Sequence, residues 1–177
     1  MPWYQTNSVL SKSFGKNWRN EFLSFETKPI AAASIGQVHR AVTLDKNEVA
    51  VKIQYPGVAD SMLNDLQILS FFLTTLKLLP KSYFLENTIN EMSDELSLET
   101  DYIREANNQE TFRKLFQDHP FIEIPKVYSE YSSPTILTSQ YIYGMPIDYC
   151  TNLSQDTRDK IGHYCMMLTL QELFQFK

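Results

Sequence analysis

Strand-like runs along the chain, the first two in a stretch rich in small and β-branched residues, predict two pairs of strands. The first pair is Gln37–Thr43 and Glu48–Gln54, and the polar residues 44–47 between them indicate a hairpin. The second pair is Ile124–Tyr131 and Thr135–Ile142, joined by a short turn that contains serine and proline. These segments predict two hairpins.

Helical periodicity occupies most of the remaining chain. Residues 1–27 carry aromatic side chains among polar ones, which predicts short helical segments whose rings pack against another surface. A helix is predicted from Val58 to Leu79, followed by a break at Pro80-Lys81-Ser82 and one long helix from Phe84 to Phe116. A last helix runs from Gln155 to the end.

Composition excludes several classes of protein. The 177 residues are 43% hydrophobic and 21% charged, as in an ordinary soluble domain. The net charge of −5 and the scattered basic residues predict no nucleic-acid partner. Cys150 and Cys165 lack the spacing of zinc ligands or of a disulfide scaffold. Residues 1–5 do not resemble a secretory signal, so no targeting segment is expected within the chain.

The most apolar run, Leu66–Leu79, is interrupted by polar residues. It is too short and too polar to span a bilayer. We expect a helix that packs on its own domain, and a helix lying on a membrane surface is the alternative.

The segment Ala31–Val38 fits the glycine-rich loop of protein kinases, G-x-G-x-x-G-x-V, with alanine at the first two glycine positions. Gly36 and Val38 match the pattern, and the run Val49-Ala50-Val51-Lys52 matches the strand that carries a kinase's phosphate-binding lysine. A turn of small residues lets the backbone approach phosphates, and the lysine neutralises them. Alanine makes this loop stiffer than a glycine loop.

The long predicted helix offers acidic partners for this lysine. Its apolar positions, continued with the same spacing, place Glu99 on the core-facing side, where a carboxylate needs a partner. We therefore expect an ion pair between Lys52 and Glu99. Asp101 and Glu105 fall on a different face of the same helix, and a solvated face is the default for such a pair.

Three stretches together resemble the UbiB family of atypical kinase-like proteins, also called AarF-domain-containing kinases, which are associated with coenzyme Q biosynthesis. They are Ala31–His39, Val49–Val58 and Glu99–Ala106. The Ser-Ile-Gly-Gln form of the loop is most similar to the eukaryotic mitochondrial branch. The resemblance covers nearly the whole chain.

The resemblance implies an α+β fold: a kinase-like N-lobe with long inserted helices and the start of a C-lobe. It implies a helical extension at 1–27, an N-lobe at 28–142 and an incomplete C-lobe at 143–177. It also implies residues for ATP, namely Ala31, Ala32, Ala33, Ser34, Lys52 and Glu99, with Gln140, Tyr141 and Ile142 at the hinge near adenine. Asp101 and Glu105 match further acidic positions of the family motif.

Two departures from the family pattern limit the expected activity. No Lys-x-Gly-Gln motif precedes the loop, and the chain ends at Lys177 before any catalytic loop or Asp-Phe-Gly-type motif. We therefore expect the ligands of Mg²⁺ to lie outside this sequence, and the fragment alone to be inactive.

Three functions stay open. The first is an ATP-dependent enzyme, a kinase or ATPase. The second is a non-catalytic nucleotide-sensing or lipid- or partner-binding pseudokinase module, and the third is a structural α+β domain. By resemblance, the partners are ATP or ADP, a coenzyme Q biosynthetic complex and a membrane surface. The implied place is the matrix face of the mitochondrial inner membrane.

Overall fold

A computed structural model describes residues 1–75 and 85–176 of the chain. These residues form two compact units, one of residues 1–117 and 124–141, the other of residues 118–123 and those from Ile142 onward. The predicted helix end at 76–79, the predicted break at Pro80-Lys81-Ser82 and the predicted helix start at Phe84 lie outside the described residues.

An antiparallel sheet of five strands lies at the centre of the first unit. The strands are β1 (Phe22–Phe25), β2 (Ala31–Ala32), β3 (Gly36–Thr43), β4 (Glu48–Gln54) and β5 (Ile136–Gln140). Their order is β1-β3-β4-β5, and the short β2 pairs with the beginning of β3. The β3–β4 ladder runs from the pair Gly36↔Gln54 to the pair Val42↔Glu48. This ladder confirms the predicted hairpin.

The first 27 residues are only partly helical. A helix, α1 (Trp3–Phe14), and a 3₁₀ turn at Trp18–Glu21 fit the prediction, but Phe22–Phe25 is strand β1. This strand pairs with the free edge of β3, with Phe22 opposite Thr43. The local sequence of this segment fits either a helix or a strand. Backbone groups at an open sheet edge need hydrogen-bond partners, and this requirement of the tertiary structure favours the strand.

The strand predicted at Ile124–Tyr131 is wrong. Within that range Val127 forms a single bridge to Ser139, and Ser129–Tyr131 is a 3₁₀ turn. Pro125 has no amide hydrogen, and the amide of Val127 donates to the carboxylate of Glu110 at 2.8 Å rather than to a strand. The pairing with β5 is limited to this bridge, at which the amides of Tyr128 and Gln140 donate to the carbonyls of Thr138 and Lys126 at 2.9 and 2.8 Å.

The helices of the first unit differ from prediction in one respect. They are α2 (Val58–Thr75), α3 (Leu85–Glu99) and α4 (Tyr102–Leu115), so the single long helix predicted up to Phe116 is broken after Glu99. Asp101 is the N-cap of α4, because its Oδ1 accepts from the amides of Ile103 and Arg104 at 3.1 and 3.0 Å. Aspartate side chains compete with helical hydrogen bonds in this way.

Alternation along β4 sends its side chains to two different cores. Val49, Val51 and Ile53 lie with α1 in a core that contains Leu10 and Trp18. Lys52 and Gln54 point to the opposite face, where Gln54 donates to the carbonyl of Thr100 at 2.9 Å. That second core consists of Ile35, Tyr102, Val127 and Leu137, with Val58, Met62 and Ala106 packed against it. The second face therefore brings β4 to the α3–α4 break.

A buried polar network connects α1 to β3. The side-chain nitrogen Nε2 of Gln37 lies 2.9 Å from Thr6 Oγ1 and 2.8 Å from Nε2 of His39. The amide nitrogen can only donate, so Nδ1 of His39 carries the hydrogen and donates to the carbonyl of Glu26 at 2.8 Å. Burial lowers the pKa of His39, and the hydrogen bond to Glu26 acts in the opposite direction. The imidazole of His39, itself part of β3, thus links this strand to the carbonyl of Glu26.

The second unit contains a 3₁₀ turn at Ile147–Asn152 and the predicted last helix, α5 (Gln155–Phe174). Ser154 caps α5 through a hydrogen bond from the amide of Thr157, and Phe121 stacks on Tyr164 with ring centroids 4.2 Å apart. Within α5 no residue is buried. Neither unit has a helix, within the described residues, with the length and apolarity needed to cross a membrane.

Candidate functional site

The alanine-rich segment forms a tight turn between β2 and β3. The amide of Ala33 donates to the carbonyl of Gly36 at 2.8 Å, and the amide of Tyr55 donates to the carbonyl of Ile35 at 2.9 Å. Among the described residues, positive φ angles occur at Gly15, Lys46 and Gly57, so this turn needs none. Alanine fits this turn without the backbone freedom that only glycine provides.

Lys52 projects from β4 toward the start of α4. Its ammonium Nζ lies 2.8 and 2.9 Å from the two carboxylate oxygens of Glu105. The same nitrogen lies 4.7 Å from the ring centroid of Tyr102. The side chains of Lys52 and Glu105 are 26% and 40% exposed, so one side of this ion pair is open to solvent.

The predicted ion pair between Lys52 and Glu99 is therefore wrong. Glu99 is exposed at the last position of α3, and among the described residues it forms no ion pair. The apolar spacing of α3 does not continue past Thr100, because the helix stops and α4 starts with a new phase at Asp101. The carboxylate that meets the lysine is one turn into the second helix.

Asp101 is exposed to solvent, as the default prediction had it, and its side chain also has a structural role. It caps α4, and this cap sets the position from which Glu105 reaches Lys52. A helix that begins at Asp101 places residues 101, 104, 105 and 108 on one face. The cap is the signal in the sequence that could have corrected the prediction.

A cavity of about 380 Å³ lies against this ion pair. Of the residues predicted to bind ATP, the structure brings together Ala33, Ser34, Lys52 and Glu99, and it adds the family-motif residue Glu105. The remaining lining residues, which the sequence reasoning missed, are Ile35, Leu98, Arg104 and Asn108. The volume is within the usual range for small-molecule sites.

Other predicted site residues lie elsewhere. Ala31 and Ala32 form β2 beside the cavity lining. The amide of Gln140 donates to the carbonyl of Lys126 at 2.8 Å, and the amide of Tyr141 donates to the carbonyl of Glu48 at 3.0 Å. Ile142 belongs to the second unit. The backbone amides of Gln140 and Tyr141 thus already donate hydrogen bonds at the edge of the sheet.

The acidic residues of the cavity are candidate metal ligands. Across residues 1–75 and 85–176, no group of three or more histidine, cysteine, aspartate or glutamate side chains is arranged to hold a metal ion. Glu105 is paired with Lys52, and Mg²⁺ in a nucleotide site takes one or two carboxylates together with phosphate and water oxygens. The described side chains therefore supply no complete ligand set for Mg²⁺.

Comparison with known proteins places this geometry in a family. The ABC1 atypical kinase-like domain matches the chain over residues 1–177. The chain belongs to the ABC1 atypical kinase-like family. This membership confirms the resemblance found in the sequence, and the ABC1 fold confirms the α+β, kinase-like class.

Two curated ABC1 relatives align with the whole chain. The rat protein "Atypical kinase COQ8B, mitochondrial" is 44% identical over 177 residues, which is 100% of this chain and 34% of the relative. "Atypical kinase COQ8, mitochondrial" of Saccharomyces cerevisiae is 42% identical over 177 residues, 100% of this chain and 35% of the relative. The chain thus spans about a third of the length of the curated relatives it matches.

A solved structure supports the fold. The chain is similar to the Mycobacterium tuberculosis protein Rv3197, solved in complex with erythromycin, with a TM-score of 0.77 and 38% identity. The match covers 92% of this chain and 41% of that one.

Proposed function

We propose that this chain is the ATP-binding part of an atypical kinase or ATPase that supports coenzyme Q biosynthesis. The observation that carries the proposal is the Lys52–Glu105 ion pair on the wall of a cavity that Ala33 and Ser34 of the alanine turn also line. In kinases the same pairing, between a strand lysine and a helix glutamate, prepares the lysine for the phosphates of the nucleotide. Family membership and the names of the relatives support this assignment.

The cavity wall carries charged side chains of both signs. Lys52 and Arg104 are cations, and Glu99 and Glu105 are anions, so the four side chains balance one another. A phosphate group of the ligand binds Lys52 while the lysine also contacts Glu105. The guanidinium of Arg104 is planar and can donate two parallel hydrogen bonds to phosphate oxygens. Ala33 and Ser34 are small enough for a phosphate group to approach the backbone of the turn.

The test of this proposal is Lys52→Ala. We expect ATP to raise the unfolding temperature of the protein and expect the variant to lose this shift, because the phosphates lose the charge that binds them. Thermal unfolding with and without ATP measures the effect.

Lys160→Ala is the matched control, since it removes an exposed lysine of α5 in the second unit. The control is expected to keep the full shift. An undiminished ATP shift in Lys52→Ala, with circular dichroism unchanged, would refute the assignment of the lysine and with it the proposed site.

A non-catalytic nucleotide sensor is the second candidate. Large apolar side chains stand exposed on α2 and offer a surface for a lipid or a protein partner; they are Ile68, Leu69, Phe71 and Phe72. A sensor binds ATP without consuming it, so measurement of ADP production by the intact protein separates the two functions. Mg²⁺, when bound, would supply charge neutralisation at the phosphates, and its ligands are proposed to lie outside the described residues.

The finer location is also a proposal. The relatives are named mitochondrial, and we place the protein at the matrix face of the inner membrane, with a coenzyme Q biosynthetic complex as its partner. Protease added to intact mitochondria is expected to leave the protein uncut until the inner membrane is opened. Cleavage in intact organelles would contradict this placement.

A further inference from the structure

Tyr102 is the first residue of α4 and is fully buried. Its ring packs in the second core beside Ile35 and Leu137. One face of this ring meets the ammonium of Lys52, with 4.7 Å between Nζ and the ring centroid. The lysine is therefore held by two residues of one helix, the carboxylate of Glu105 and the aromatic face of Tyr102.

The phenol hydroxyl of Tyr102 lies beside the alanine turn. A Cβ atom built on Gly36 would lie 3.2 Å from this hydroxyl oxygen, so the tyrosine occupies the space next to the glycine. The oxygen has no hydrogen-bond partner among the described protein atoms. Burial, and secondarily the charge of Glu105, raises the pKa of Tyr102, so the phenol stays neutral.

A buried hydroxyl without a partner costs stability, whereas an aromatic ring below an ammonium contributes to holding it. The two parts of this side chain therefore act in opposite directions. The ring helps to hold the ammonium of Lys52, and the hydroxyl lowers the stability of the fold.

We infer that Tyr102 is a positioning residue: its aromatic face orients the ammonium of Lys52 toward the cavity and couples α4 to the turn that ends at Gly36. This role concerns the orientation of the lysine and holds whether or not a nucleotide is the ligand. Only the nucleotide measurement below rests on the proposed function.

Two substitutions separate the ring from the hydroxyl. Tyr102→Phe keeps the aromatic face, so the side-chain protons of Lys52 are expected to keep the upfield NMR shift that a ring below them causes. The variant should also unfold a few degrees higher, because the hydroxyl without a partner is gone. Tyr102→Leu keeps an apolar side chain without a π face, so the shift of the Lys52 protons should collapse to that of an exposed lysine.

Nucleotide binding gives a second measurement. The dissociation constant for ATP is expected to rise about fivefold in Tyr102→Leu, since a lysine without its ring support samples more orientations. Tyr102→Phe is expected to bind ATP as the unmodified protein does. Calorimetric titration measures both.

Tyr128 is the matched control. It also carries a cation above its ring, with Nζ of Lys126 at 5.0 Å, and it is buried to a similar degree in the other core. Tyr128→Leu removes an equivalent contact away from the cavity, so it should change the signals of Lys126 and leave ATP affinity unaltered.

The outcomes distinguish this inference from the proposed function. Unchanged Lys52 signals in Tyr102→Leu overturn the inference, whatever ATP does. No ATP binding by the unmodified protein overturns the proposed function, and the NMR shift still decides the role of Tyr102. If Tyr102→Leu does not fold, fluorinated phenylalanine at position 102 keeps the volume and weakens the negative face. A Lys52 shift that does not respond to fluorination also overturns the inference.

Discussion

Gly36→Ala is expected to lower the free energy of unfolding by about 3 kcal/mol, the upper end of the usual cost of overpacking a core. A Cβ atom at this position would lie 2.5 Å from the carbonyl oxygen of Ile53 and 3.2 Å from the hydroxyl of Tyr102. The closer of the two atoms belongs to the backbone of β4 and cannot rotate away. The pair Gly36↔Gln54 begins the β3–β4 ladder, so the two strands must separate at the end of the ladder that is next to the alanine turn.

Chemical denaturation measures this cost, and Gly144→Ala is the control. A Cβ atom at Gly144 has no heavy atom within 4 Å, so that variant should stay within about 0.5 kcal/mol of the unmodified protein. Equal unfolding midpoints for Gly36→Ala and Gly144→Ala would show that the close approach of β3 to β4 is not present in solution.

Trp18→Ala is expected to cost about 4 kcal/mol, in the range measured for deleting a large aromatic side chain from a core. The residue is 1% exposed and makes an edge contact with Phe25, with ring centroids 5.0 Å apart. Its indole nitrogen donates to Asn7 at 3.0 Å. The substitution would leave a cavity between α1 and β1, and the amide of Asn7 would lose its donor.

Tyr4→Ala is the control within the same segment, because Tyr4 on α1 is 70% exposed and should tolerate the change. The comparison also tests the domain boundary predicted at residue 27. A detachable extension would lose its own structure and leave the sheet intact, whereas a segment that shares the core should lower the stability of the whole unit. A small effect of Trp18→Ala would favour the detachable extension.

Local pattern was sufficient for the hairpin that carries the lysine. In β4 the apolar side chains occupy most of the buried positions, whereas the buried face of β3 is mostly polar and includes Gln37, His39 and Thr43. The predicted strands still end within one residue of the observed ones. The turn of alanines and the position of Lys52 follow from that hairpin. The kinase-like class followed from the order of these elements together with the family motifs.

Local pattern failed where a segment's partners come from far along the chain. Phe22–Phe25 becomes a strand because the edge of β3 is free, and the strand predicted around Val127 is reduced to a single bridge to Ser139. In neither segment does the local sequence favour the observed structure over the predicted one. Tyr102 was missed for the same reason, since a tyrosine at a helix start looks ordinary until the fold brings Lys52 above it.

The sequence by itself determined the hairpin, the alanine turn, the lysine and the family to which they belong. Only the tertiary structure decided which carboxylate meets the lysine. Helical periodicity predicts which side chains share a face only while the helix continues, and the cap at Asp101 ends one helix and starts another with a different phase. With the helix broken at this cap, the residue that pairs with Lys52 is Glu105 and not Glu99.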